Sequence, residues 1–128
     1  VARFLLICLG GAIGTGARFL LSGALARAYG PGFPLGTFFV NVTGSFLIAV
    51  AIELSLRTGW ISPDLRLFLT TGVMGGYTTY SSFNYESLRL AQDGRPGVAA
   101  LNVVVTLVGC ALAGVLGLGA ARFIAGAR

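Results

Sequence analysis

Thr70-Thr71-Gly72-Val73-Met74-Gly75-Gly76-Tyr77-Thr78-Thr79-Tyr80-Ser81-Ser82-Phe83-Asn84-Tyr85-Glu86 lies within an otherwise strongly apolar chain. Two adjacent glycines are followed by four hydroxyl residues and four aromatics in the ten positions 77–86. This composition reads as an interrupted helix. Glycine is a poor helix former, and the Gly75-Gly76 pair at mid-span frees the backbone to break. A break at membrane depth exposes carbonyls that protein, water or an ion must satisfy. Broken helices of this kind line ion sites in transporters. The competing reading is a plain glycine kink with no site attached to it.

The surrounding composition places this stretch in a membrane. The chain has 128 residues, the length of one domain, and a single unit over 1–128 is expected. Hydrophobic residues make up 55% and charged residues 10%, with a mean hydropathy of +0.87. Soluble domains carry roughly 25% charged residues, so this chain has too few to coat a globule facing water. The net charge is +5, and all nine basic residues are arginine. They stand singly near the ends of apolar runs, where arginine reaches the headgroups, so nucleic acid is not an expected partner and membrane lipid is. Cys8 and Cys110 sit in apolar stretches without a CxxC partner, which argues against zinc or a disulfide framework. No secretory signal is expected, because the first apolar run is too long and lacks a cleavage signature.

A hydrocarbon core of about 30 Å needs about 20 apolar residues in a helix. Four segments meet that length, at about 4–28, 35–56, 64–90 and 97–124. Gly30-Pro31-Gly32-Phe33-Pro34 ends the first. Arg57-Thr58-Gly59-Trp60 closes the second, and Ser62-Pro63-Asp64 reads as an N-cap with proline at the first helical position. Gln92-Asp93-Gly94-Arg95-Pro96 separates the last two. The fold class is therefore all-α, with four transmembrane helices and the third broken near Gly75-Gly76. Both termini fall on one side, with Arg3, Arg57, Arg66, Arg122 and Arg128, against Arg27, Arg89 and Arg95 opposite. Five against three is a weak positive-inside bias. It fits insertion in both orientations, and equally a fixed orientation that a crude count does not resolve. Gly10-x-x-x-Gly14, Gly72-x-x-x-Gly76 and Cys110-x-x-x-Gly114 are spacings that let helix backbones approach.

Polar residues inside the spans carry the functional information, since a polar group in lipid is costly unless paired or hydrated. Thr37, Asn41 and Ser45 share one helical face at i, i+4, i+8. Thr78, Ser82 and Glu86 repeat the spacing, as do Asn102, Thr106 and Cys110. Two readings stand: a hydrated, ion-conducting path, or interhelical hydrogen bonds that fasten a bundle. Glu53 can pair with Arg57, and Glu86 with Arg89, near helix ends. No Ser/His/Asp set, Cys/His pair, metal-ligand cluster or phosphate loop is present, so an enzyme is not expected.

Gly75-Gly76-x-Thr78-Thr79-Tyr80-Ser81-Ser82-Phe83 resembles the GGxTTFSTF signature of the Fluc (CrcB) fluoride channels. Gly10-Gly11-x-x-Gly14-x-x-x-Arg18-Phe19 and Gly36-Thr37-x-x-x-Asn41-x-x-Gly44 resemble that family's first and second motifs. The likeness covers essentially the whole chain. It implies a passive fluoride channel of the inner (plasma) membrane, working as a dual-topology antiparallel homodimer with two pores and exporting cytoplasmic fluoride. It implies that Asn41, Tyr80 and Phe83 line the fluoride path and that Ser81, Ser82 and Thr106 form a polar track. The carbonyls of Gly75 and Thr78 would hold a structural Na+, and Arg18 would sit at the vestibule end. Tyr80 departs from the family's phenylalanine, keeping the ring edge and adding a hydroxyl. The alternative is a small multidrug-type proton-coupled exporter. That class uses a carboxylate in its first helix, where this chain has only Arg3, Arg18 and Arg27.

Overall fold

The computed structural model describes residues 1–126, so Arg128 of the charge count lies outside the described residues. Helix α1 spans Ala2–Tyr29 and α2 spans Leu35–Thr58. The third crossing is composite: α3 (Pro63–Leu67), a π-helical stretch (Phe68–Met74), α4 (Gly75–Tyr77) and, after a break, α5 (Tyr80–Gln92). Helix α6 spans Pro96–Gly126. The described residues are thus all helix and turn, with no strand.

Local chemistry sets these ends. Gly59 takes the left-handed conformation that closes α2, at φ 68°. Ser62 caps α3 by accepting the Leu65 N–H at 3.2 Å, with Pro63 at the first position. At a rise of 1.5 Å per residue, α1, α2 and α6 are roughly 36–46 Å long, enough to span a bilayer. All three are apolar enough to do so. Their outward side chains confirm the solvent: Phe4, Phe19, Leu20, Val115, Leu116 and Phe123 are all more than half exposed. Lipid covers such a surface at no hydrophobic cost. The chain is a multi-pass membrane protein.

Two glycine seams hold the crossings together. Along α1, Gly10 meets Gly72 of the third crossing and Gly14 meets Val73 and Tyr77, while Gly76 is met by Gly11 and Thr15. A Cβ at Gly10 would lie 2.8 Å from the Phe68 carbonyl oxygen and 2.9 Å from the Gly72 Cα. Both expected GxxxG pairs are therefore used, and they face each other. The expected Cys110/Gly114 pair is not: a Cβ at Gly114 meets nothing within 4 Å. Helix α6 instead buries Ala113, Gly117 and Ala121, and Gly117 packs against the Phe46 carbonyl of α2.

The break lies near Gly75-Gly76 as expected, and it opens just after the glycines rather than at them. Gly75 is helical, at φ −60° and ψ −37°, and so is the α4 turn it opens. The chain leaves the helix at Thr78 (φ −86°, ψ 159°) and Thr79 (φ −153°, ψ 110°). The glycines serve close approach instead: a Cβ at Gly76 would collide with the Gly11 carbonyl and come within 2.9 Å of Thr15 Oγ1. The expected ion pairs also resolve. Glu53 pairs with Arg57 as expected, and additionally with Arg122 of α6 at 2.9 Å. Glu86 does not pair with Arg89, which approaches Asp93 at 3.6 Å, because Thr37 of α2 takes Glu86 instead.

Candidate ion site at the helix break

The break is held open by side chains from two neighbouring helices. Asn41 of α2 clamps Thr79 with both ends of its carboxamide. The Thr79 N–H donates to Asn41 Oδ1 at 2.7 Å, and Asn41 Nδ2 donates to the Thr79 carbonyl at 3.0 Å. Arg18 of α1 donates from Nε to the Gly76 carbonyl at 3.0 Å, next to a long contact from Thr15 Oγ1 at 3.5 Å. Thr79 caps α5, its Oγ1 accepting the Ser82 N–H at 3.2 Å and donating to Ser82 Oγ at 3.0 Å.

An account of the carbonyls follows from these bonds. In a continuous helix Gly75 C=O would receive the Thr79 N–H, and Thr78 C=O the Ser82 N–H. Both donors are diverted, one to Asn41 and one to Thr79 Oγ1. Gly76 C=O, which loses the Tyr80 N–H, is served by Arg18. The break therefore strips the regular helical donor from Gly75 and Thr78, the two carbonyls expected to hold a cation. Gly75 is exposed, so its carbonyl environment is left to whatever covers this face. Hard cations take oxygen ligands of this kind, so the donor set fits Na+.

Six of the expected residues share one cavity of about 360 Å³: Asn41, Gly75, Thr78, Tyr80, Phe83 and Thr106. Within it Phe83 is buried and Tyr80 is 76% exposed, with ring centroids 5.8 Å apart and planes tilted by 58°. The rings are neighbours on one turn of α5, as their i, i+3 spacing requires. Thr106 is buried, and its hydroxyl is spent on Asn102 Oδ1 at 3.3 Å.

Arg18 and Ser82 lie elsewhere, in a cavity of about 370 Å³ that also includes Thr37, Thr79 and Glu86. Thr79 faces this cavity, and Thr79 also borders the first. Ser81 lines neither: it is exposed, with its Oγ 3.4 Å from Thr79 Oγ1. The nine expected residues are thus divided between two sides of the break rather than gathered in one channel wall.

The polar stripes meet in pairs. Thr37 Oγ1 donates to Glu86 Oε1 at 2.8 Å, while Glu86 Oε2 is buried without a hydrogen-bond partner. Ser45 turns back onto the Asn41 carbonyl at 2.7 Å. Asn102, 1% exposed, donates to Ser87 Oγ at 2.9 Å, and Ser87 donates to the Phe83 carbonyl at 2.8 Å. Sequence reasoning missed Ser87 and the capping role of Thr79. Thr79 was legible in principle, as a threonine directly before the amphipathic run 80–92. Ser87 was not, because a single serine on a helix carries no signal of its partner.

A multi-helix membrane protein with a clamped helix break is the class that fold and site define. The model of the family described as "CrcB-like protein, Camphor Resistance (CrcB)" matches residues 5–118, and the chain belongs to that family. It is 54% identical over 126 residues to a protein of Anaeromyxobacter sp. (strain K) named "Fluoride-specific ion channel FluC", covering 98% of this chain and all of the relative. Proteins of the same name from Anaeromyxobacter dehalogenans and Sorangium cellulosum are 53% and 51% identical, over 98% and 94% of this chain and 100% and 94% of their own.

Proposed function

We propose that this chain is a passive fluoride channel, not an enzyme, and that it lets cytoplasmic fluoride leave down its electrochemical gradient. The observation that carries this is near-full-length identity above half to relatives named as fluoride-specific ion channels. The geometry supplies a mechanism. Fluoride is the most tightly hydrated halide, so a path must replace its water with good donors. Asn41 commits its oxygen and one N–H to Thr79, which leaves the second N–H free to face an anion. Ser82 accepts from Thr79, so its own hydroxyl proton is available to the cavity that Arg18 lines. The Phe83 and Tyr80 rings offer positive edges in the other cavity.

The working unit in this reading is an antiparallel homodimer with two pores. Tyr80 and Gly75 stand exposed beside a polar break at membrane depth, which lipid cannot satisfy. A second copy across a two-fold axis would cover them and bring the Gly75 and Thr78 carbonyls into a set of four. A sodium ion held there would add fixed positive potential near the anion path. The weak arginine bias agrees with insertion in both orientations. The multidrug-exporter alternative lacks its carboxylate, since α1 holds none.

Proteoliposomes loaded with potassium fluoride and read by a fluoride electrode test the proposal. Valinomycin should trigger rapid fluoride efflux well above protein-free vesicles. Efflux no faster than in empty vesicles, or transport of a cationic drug driven by a proton gradient, would overturn it.

A further inference from the structure

We propose that Asn41 and Thr79 are positioning residues for the cation at the break, holding away the two N–H groups that would otherwise close on the carbonyls that bind it. This rests on the reading of a cation held by Gly75 and Thr78, and it assigns residues outside that ligand pair.

The bonds at the break carry it. Asn41 Oδ1 receives the Thr79 N–H at 2.7 Å, the donor that an unbroken helix would give to Gly75 C=O. Thr79 Oγ1 receives the Ser82 N–H at 3.2 Å, the donor that it would give to Thr78 C=O. Each side chain thus guards one carbonyl. The Thr78–Thr79 linkage is extended, so the strand between the half-helices stays open only while these acceptors are present. Asn41 is buried, at 9% exposure, and has no freedom to release Thr79 to water. Its other bond, from Nδ2 to the Thr79 carbonyl at 3.0 Å, fixes the same peptide from its far side. Gly44, one turn along α2, presses on the Thr78 side chain and so fixes the register in which Asn41 meets Thr79.

Removing either acceptor frees an N–H to compete with the ion for a carbonyl. One competing hydrogen bond per subunit weakens cation binding by about tenfold. The test uses purified protein in detergent, with the thermal midpoint followed along a sodium chloride series. N-methylglucamine chloride keeps the ionic strength constant. The parent should be stabilised with a definite half-saturating sodium concentration. Asn41→Leu and Thr79→Val should raise that concentration by about tenfold, and Thr79→Ser, which keeps the acceptor, should stay within about twofold of the parent.

An unchanged half-saturation in Asn41→Leu and Thr79→Val overturns the inference while the cation reading stands. A parent midpoint indifferent to sodium overturns the cation reading, and the inference with it. Where Asn41→Leu does not fold, Thr79→Val decides alone. If neither folds, Asn41→Gln keeps the amide but moves its oxygen off Thr79, and an unaltered half-saturation there equally overturns the inference.

Discussion

Gly14→Ala should separate α1 from the first half of the third crossing. The added methyl would overlap the Val73 carbonyl oxygen and lie 2.9 Å from both the Tyr77 nitrogen and the Val73 carbonyl carbon. All three are backbone atoms, so no rotamer change relieves the clash. Restoring an ordinary 3.4 Å contact to the two 2.9 Å neighbours alone moves the helices about 0.5 Å apart, and the oxygen demands more. A gap of 0.5–1 Å forfeits roughly a quarter to a half of each dispersion contact along the seam. The Arg18 Nε–Gly76 O bond, now 3.0 Å, stretches toward the limit of hydrogen bonding. Overpacking costs about 1–3 kcal/mol and a weakened charged hydrogen bond adds about 1.5 kcal/mol, so a loss of about 3 kcal/mol is expected. Gly119→Ala, whose methyl meets nothing within 4 Å, is the matched control and should gain up to about 1 kcal/mol of helix propensity. Thermal midpoints by size-exclusion after heating, together with fluoride efflux, read the pair. A Gly14→Ala protein as stable as the control would refute the seam as the close contact described.

Asn41→Asp should reduce fluoride efflux by more than about a hundredfold, because like charges about 4 Å apart repel by ~4 kcal/mol at an effective dielectric of about 20; near-normal efflux from folded protein would refute an anion path past Asn41. Phe83→Ile and Tyr80→Ile should each slow efflux by about three- to tenfold, while Tyr80→Phe, which keeps the ring edge, should conduct like the parent; parental rates in both isoleucine variants would remove the rings from the path. Asn102→Leu strips the buried Ser87 and Thr106 hydroxyls of their shared partner. It should lower stability by about 1 kcal/mol, checked by thermal midpoint, and an unchanged midpoint would show that the triad is idle.

How the polar stripes are used shows where sequence reasoning reaches its limit. Their i, i+4 spacing places Thr37, Asn41 and Ser45 on one face whatever the rest of the chain does. It does not say what each side chain meets. Asn41 meets a backbone, Thr37 meets Glu86, and Ser45 turns back to its own helix. Asn102 and Ser87 fasten α6 to α5, while Asn41 and Ser82 keep unspent donors beside cavities.

The amino-acid sequence by itself determined that this chain lives in lipid, crosses it with four helical segments and interrupts the third. Those properties follow from hydropathy, helix length and local stop signals, which act within a few turns of the chain. Its motifs also carried the family. Only the tertiary structure decided where the third crossing opens. The glycines that suggested a break at Gly75-Gly76 stay helical, because α1 presses Gly11 and Thr15 against Gly76. The chain parts at Thr78–Thr79, because an asparagine 38 residues away offers Thr79 a better pair of bonds than the helix does. A break is a competition between the helical ladder and acceptors brought in from elsewhere, and those acceptors exist only once the helices have packed.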